Sequence, residues 1–366
     1  MAEIGVGLIG FGLAGKAFHA PVIRAVPGLR LAAILQRSGS EAAEEYPDVR
    51  IVRSVDELLA IPETRLVVVA TPNDTHYELA QRCLEAGRDV VVDKPFTTTV
   101  AEAISLVRLA REKKRLLTVY QNRRYDSDFQ VVRGLVAEGR LGRVVRFETN
   151  YDRYRPELKR GAWRERSGPG AGILFDLAPH LIDQAMVLFG LPEAITADVR
   201  IERDGAAADD AFDIVFHYGG KMGQMGVLRA VLRSTMLAAV PRPRFLVYGT
   251  AASFLKQTFD PQEMNLRRGF IPADTAWGAE PQEDWGVVTR PQGEGFVQER
   301  MAPADCDYRD YYKNVRDAML GTAQLAVEPE WALNVMQALE LARESSQRRC
   351  AVPWRAPALE QREGAV

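Results

Sequence analysis

The chain opens on an apolar run, residues 4–10, that breaks at Gly10-Phe11-Gly12-Leu13-Ala14-Gly15 and continues into residues 14–26, where alanines and long apolar side chains recur at helical spacing. A strand that must turn at once into a helix through glycines at 10, 12 and 15 has few folds open to it. The first glycine permits the tight turn, the second lets a pyrophosphate approach the backbone, and the third lets helix and strand pack closely. Amides near Leu13, at the positive end of that helix, would receive the pyrophosphate. Alone, the spacing also occurs in ordinary glycine-rich turns, so its weight depends on the strands and helices around it.

The next hundred residues repeat the pattern. Apolar runs at residues 31–35, 66–70, 89–92 and 116–121 alternate with helical stretches at 56–60, 75–86 and 100–114. Strands that are apolar throughout, separated by helices, predict a parallel sheet covered on both faces. Residues 1–122 are therefore expected to form a Rossmann dinucleotide-binding domain. Beyond Asn122 the character changes. Helices are expected at 128–138 and 181–189, with strands at 144–151, 195–201, 212–218, 222–228, 245–249 and 251–256 joined by short turns. That pattern predicts an α+β domain, residues 123–366, on a mainly antiparallel open sheet. Residues 261–300, rich in Pro, Gly, Glu and Gln, read as a long loop or arm. Helices at 308–320 and 331–347 close the chain, the last placed to pack back on the first domain. The class is α/β, and 366 residues suit two cores better than one.

Composition narrows the partners. The 47 basic and 49 acidic side chains nearly cancel, so no charge excess advertises nucleic acid or an anionic membrane. Cys83, Cys306 and Cys350 are too few and scattered for a disulfide framework or a zinc signature, and no metal site is expected. The first residues lack a secretory pattern, and no apolar run approaches the about 18 residues of a membrane span. A cytoplasmic protein is expected.

The residues at the sheet's carboxyl edge carry the cofactor reading. After the second strand, where an acid would hold the adenosine ribose, the chain has Gln36-Arg37-Ser38. With no carboxylate to repel a 2′-phosphate, Arg37 and Ser38 favour NADP, with NAD as the alternative; Arg37 as a solvated loop charge is the competing reading. Thr71, Pro72 and Asn73 follow the 66–70 strand, with His76 just beyond, and Gln121 and Asn122 follow a later one. All six could border the cofactor together with Lys94 and Pro95.

Taken together, the glycine turn at 10–15, Ala70-Thr71-Pro72-Asn73 with His76, Asp93-Lys94-Pro95, and Asp176 with His180 make the chain resemble the Gfo/Idh/MocA (glucose–fructose oxidoreductase / inositol dehydrogenase) family, and within it the NADP-dependent scyllo-inositol dehydrogenase-like members. The resemblance implies an open sheet of six or more strands as the second domain, used for substrate and often for a homodimer or homotetramer contact. It also implies redox chemistry between an alcohol and a ketone on a cyclic polyol or sugar. Lys94 would be catalytic, polarising the substrate oxygen; His180 would be the acid/base; Asp176, four residues earlier, would orient both. Pro95 is expected to follow a cis bond, and Asp93 stands where relatives commonly have Glu.

Bland readings stand beside these. Pro179 suits the first turn of a helix, which would make Asp176 a cap and His180 structural. Asp183 either supports His180 or solvates the helix. Arg123 reaches substrate or supports a domain junction. Tyr154 and Trp163, from an aromatic and arginine-rich segment that includes Tyr151, Arg153 and Arg166, bind the polyol ring or pack. Rival functions are the reduction of another sugar-derived ketone and non-enzymatic dinucleotide sensing.

Overall fold

A computed structural model describes residues 3–159, 165–219, 226–272 and 277–359. The first strand, β1 (Ile4–Ile9), is buried at every position, and it lies at the centre of a six-stranded parallel sheet. Its companions are β2 (Leu29–Leu35), β3 (Arg50–Val52), β4 (Thr64–Val69), β5 (Asp89–Val92) and β6 (Leu117–Val119), in the order β3-β2-β1-β4-β5-β6. The crossovers carry α1 (Ala20–Arg24), α2 (Glu41–Glu45), α3 (Val55–Leu59), α4 (His76–Glu85) and α5 (Val100–Lys113). From β1 the chain first builds outward through β2 and β3, then returns to place β4 on the other side. The crevice left at the carboxyl ends of β1 and β4 is where open α/β sheets bind ligands.

The second half begins with α6 (Ser127–Ala137), β7 (Val144–Asn150) and α7 (Gly172–Phe189), followed by β8 (Ala194–Arg200), β9 (Ala211–Tyr218), β10 (Leu228–Thr235), β11 (Phe245–Gly249) and β12 (Ser253–Lys256). Then come α8 (Gln262–Arg267), the hairpin β13 (Gly286–Gln292) and β14 (Gly295–Met301), α9 (Arg309–Met319), α10 (Pro329–Arg348) and the short β15 (Val352–Pro353). The nine strands form one sheet, β14-β13-β12-β11-β7-β10-β9-β8-β15, antiparallel except where β10 runs parallel to β7. α7 lies against β7, β9 and β10, and α10 packs on β8 and α7 as well as on α5 and β6.

Three expectations are corrected. The strand drawn at 222–228 lies later, as β10, with residues 220–225 outside the described set. The supposed loop at 261–300 holds α8 and the β13–β14 hairpin; its strands expose most of their side chains, so the sequence lacks the alternation that marks a half-buried strand. The helix drawn at 181–189 starts at Gly172, which puts Pro179 in its interior rather than its first turn. Asp209 makes that early start feasible: its carbonyl accepts from the Ile173 amide at 2.8 Å and its carboxylate from the Leu174 amide at 2.7 Å. By length and composition α7 would suit a membrane, yet 78% of it is buried inside the protein, as the core helix of the second half.

Buried polar contacts fasten the segment that enters the second half to its helices. Arg124 grips Asp183 of α7 with two bonds, 2.8 and 2.7 Å, and Trp331 of α10 donates to the same carboxylate at 3.0 Å. Asp183 is thus a junction residue and does not serve His180. Because Arg124 stays buried when its partner is removed, Asp183→Asn is expected to cost about 3 kcal/mol, read as a lowered urea midpoint at unchanged m-value. A loss under about 0.5 kcal/mol would show the pair to be dispensable.

Candidate active site

The glycine turn has the geometry its spacing predicts. Gly10 sits at φ +100°, and a Cβ there would stand 2.5 Å from the Ala70 carbonyl oxygen at the end of β4. A Cβ on Gly15 would stand 2.0 Å from the Gly10 carbonyl oxygen, whereas one on Gly12 would meet nothing within 4 Å. Two glycines close the backbone and the third leaves the space a pyrophosphate needs. Past the turn the chain winds through a π-helical segment, Ala14–His19, into α1. Leu13 and Ala14 border the cleft that also holds Lys94 and His180. The cradle therefore fits a dinucleotide.

At the end of β2, Gln36 is spent on the loop itself: its side-chain carbonyl oxygen receives the Ala42 amide at 3.0 Å and its side-chain amide meets Glu41. Arg37 and Ser38 are exposed, and Arg37 has no acidic partner among the described residues. Arg53, which sequence reasoning passed over, donates to the Gln36 and Gly39 carbonyls at 2.7 and 3.0 Å and holds the loop that presents them.

The next two strand ends are clipped to each other. His76 is fully buried, its ring nitrogens 2.8 Å from the Pro95 carbonyl and 3.0 Å from the Thr71 carbonyl. Burial lowers its pKa, while the Asp93 charge and the two carbonyls pull it back up. In the structure it fastens the two loops that would border the cofactor. Asn73 is buried and donates to the Gly170 carbonyl at 2.8 Å, Pro72 is exposed, and Thr71 bonds Thr75. Gln121 is buried while Asn122 opens on the cleft.

Lys94 follows β5, and the Lys94–Pro95 peptide is cis. Asp93 accepts the Lys94 amide at 2.8 Å and stands 3.8 Å from the His19 ring, which in turn lies 2.6 Å from the Tyr312 hydroxyl. Burial alone would raise the Asp93 carboxyl, but His19, Lys94 and His76 around it outweigh that and hold it low.

From this edge Lys94 Nζ reaches across to α7, donating to the Asp176 carbonyl at 2.7 Å and to Asp176 Oδ1 at 3.2 Å. His180 follows one turn later on the same helix, 5% exposed and bordering the same cleft. Its pKa is driven well below the usual imidazole value, first by burial and then by the charges of Lys94 and Arg123, which Asp176 only partly offsets. The cleft holds about 540 Å³ and runs from Leu13 past Lys94 and His180 to Arg203.

The remaining expected residues divide. Arg123 borders the cleft, yet its guanidinium is taken up by Asp126 at 3.0 Å, by the Tyr151 hydroxyl at 2.7 Å and by Glu263, which favours the supporting role. Tyr154 is corrected: it is 60% exposed and pairs through its backbone with Leu237 in an isolated bridge, outside the cleft lining. In extended chain its neighbours face the other way, and Arg153 and Arg155 line the cleft instead. Trp163 lies outside the described residues. Among the described residues no cluster of His, Cys, Asp and Glu could hold a metal.

Comparison with known proteins bears on the family and the fold. The profile of an oxidoreductase family with an NAD-binding Rossmann fold matches residues 4–121, and that of the same family's C-terminal alpha/beta domain matches residues 133–353. The chain is 36% identical to the scyllo-inositol 2-dehydrogenase (NADP(+)) IolW of Bacillus subtilis, over 94% of each chain. It is 43% identical to the oxidoreductase YdgJ of Escherichia coli, over 96% of this chain and 98% of that protein. The solved structure of yvaA from Bacillus subtilis superposes with a TM-score of 0.91 at 35% identity, over 97% of this chain and 99% of that one.

The depressed His180 pKa has a measurable sign. The folded chain binds fewer protons at this ring than the unfolded chain does, so acid destabilises the fold through it. In a histidine-detected NMR titration the His180 signals, assigned with His180→Asn, are expected to hold their neutral shifts from pH 8 to about 6. A midpoint near the ordinary value would contradict the burial and charge argument.

Proposed function

Because the chain belongs to the Gfo/Idh/MocA oxidoreductase family, we propose that it moves a hydride reversibly between NADP and a secondary alcohol or ketone of a cyclic polyol or sugar, scyllo-inositol being the first compound to test. One observation carries the reading: Lys94 Nζ, held on Asp176, shares a cleft with a buried neutral His180 one helical turn away. An ammonium fixed by a carbonyl and a carboxylate keeps a third donor for a substrate oxygen, where its charge favours the alkoxide that develops during oxidation.

In the oxidative direction, the neutral His180 ring accepts the hydroxyl proton as the carbon–oxygen double bond forms. A depressed pKa suits that step because the ring enters it unprotonated. In the reductive direction the same ring, transiently charged, returns the proton to the alkoxide. Asp176 aims Lys94 and tempers the positive charge around His180. Residues 10–15, Thr71 and Asn122 would hold the dinucleotide, and when bound the nicotinamide supplies the hydride chemistry.

The choice of NADP rests on the exposed Arg37, without an acidic partner among the described residues, with Ser38 beside it, and on the lack of an acid in Gln36-Arg37-Ser38. It is supported by the name of the Bacillus subtilis relative, an NADP(+) enzyme.

The test is turnover. Purified protein with NADP or NAD, offered scyllo- and myo-inositol, glucose and xylose, is expected to reduce the cofactor with at least one of them and to prefer NADP. Arg37→Asp is expected to reverse that preference by putting a carboxylate where the 2′-phosphate would sit. Tight NADPH binding with no hydride transfer in either direction would instead favour a dinucleotide sensor, and unchanged relative affinities in Arg37→Asp would remove Arg37 from the cofactor site.

A further inference from the structure

The cleft holds more cationic side chains than the proposed hydride transfer uses. Arg153 and Arg155 enter it from the extended segment after β7, and Arg267 enters from the last residue of α8, all beside Lys94 and Arg123. Their partners are few. Arg153 reaches Asp176 Oδ2 only at 3.5 Å, on a carboxylate already engaged by Lys94, and lies over the Tyr151 ring at 5.0 Å. Arg267 donates to Glu263 Oε1 at 2.8 Å, but the other oxygen of that carboxylate receives Arg123 and the Tyr151 hydroxyl. The backbone of Arg155 is bonded to Met236 and Arg203, yet its guanidinium meets no acceptor among the described residues.

The described lining as a whole carries seven cationic and seven acidic side chains, so the cationic excess is local to the end where Arg153, Arg155 and Arg267 meet. Lys94, Arg123, Arg153, Arg155 and Arg267 have Asp93, Asp176, Glu263 and Asp126 between them, five cations to four carboxylates among the described residues. The other nearby acids are occupied. Glu165 and Asp210 pair with Arg203, and Asp209 accepts the Leu174 amide. Glu157 and Lys159, exposed and of opposite sign, offset each other. Arg155 and Arg267 are exposed at the cleft, and partial desolvation and then the charge of Arg153 hold their guanidiniums below the usual pKa.

We infer that the substrate carries an anionic group, a carboxylate or a phosphate, that Arg153, Arg155 and Arg267 bind while its reacting oxygen meets Lys94 and His180. The inference rests on the redox reading of the cleft and names the substrate class within it. Guanidinium forks match both anions, and in a partly enclosed cleft an anion relieves repulsion that a neutral polyol leaves in place. The dinucleotide pyrophosphate does not account for the cluster. Its cradle is the glycine turn of the first sheet, whereas Arg155 is fastened to Met236 and Arg203 on the opposite wall.

The experiment compares kcat/KM at saturating cofactor for glucose, xylose, scyllo-inositol and myo-inositol with the values for glucuronate, gluconate, glucose 6-phosphate and myo-inositol 1-phosphate, in the wild type and in Arg155→Gln. At least one charged compound is expected to exceed its neutral counterpart by about tenfold or more, with the carboxylate and phosphate arms telling which anion the site takes. Arg155→Gln is expected to erase most of that ratio while NADPH affinity stays within about twofold. Turnover of neutral compounds with no gain for charged ones would overturn the inference and leave the redox reading standing. Loss of NADPH affinity in Arg155→Gln with an unchanged substrate ratio would assign the arginine to the cofactor and overturn it as well. Absence of hydride transfer to any compound would overturn both.

Discussion

The contact between Lys94 Nζ and Asp176 joins the two halves of the molecule at the point where chemistry is proposed. Lys94 belongs to the carboxyl edge of the parallel sheet and Asp176 to the first turns of the buried helix against the second sheet. Neither residue has meaning alone. An ammonium at a strand end is ordinarily solvated, and a carboxylate in an apolar helix is ordinarily protonated or paired. Brought together at 14% and 17% side-chain exposure, they form a fixed positive donor whose direction is set by two oxygens of one residue.

The surroundings serve that placement. His76 links Thr71 to Pro95 and so joins the loops after β4 and β5, while Asp209 begins α7 early enough to carry Asp176 and His180 on one face. Beneath the cleft lies a dense set of buried charges. Burial raises the Asp126 carboxyl to about 7 against the pull of Arg123 and Arg244, and that of Asp128 to about 6 against the pull of Arg244 and Lys256. Gln184, one turn beyond His180, bonds the Arg123 carbonyl and receives Arg244, both at 2.8 Å. The helix bearing the proposed acid/base is thus anchored to the cations that keep its ring neutral.

Much of this was legible in the chain because the first sheet is buried on both faces. Such strands read as unbroken apolar runs, and the glycine turn has one spacing and one steric reason for it. Legibility failed where burial was partial or a local signal competed. β3 is only three residues long, the β13–β14 hairpin exposes Phe296 to 77%, and Pro179 read as a helix start although an aspartate from another loop supplies the amide acceptors earlier. Within the site, the short motifs carried Lys94, Asp176 and His180. The arginine cluster was hidden because Arg267 stands more than a hundred residues from Arg153 and Arg155. Its one local signal was the i, i+2 spacing of Arg153 and Arg155, which places the intervening Tyr154 on the opposite side.

The central claim is that the fixed Lys94 ammonium lowers the barrier to hydride transfer rather than holding the fold or the cofactor. Its most direct measurement is the single-turnover rate of hydride transfer in Lys94→Ala, with NADPH affinity measured on the same protein. A rate lower by about a hundredfold or more at unchanged NADPH affinity is the expected result. A rate within about twofold of the wild type would contradict the account.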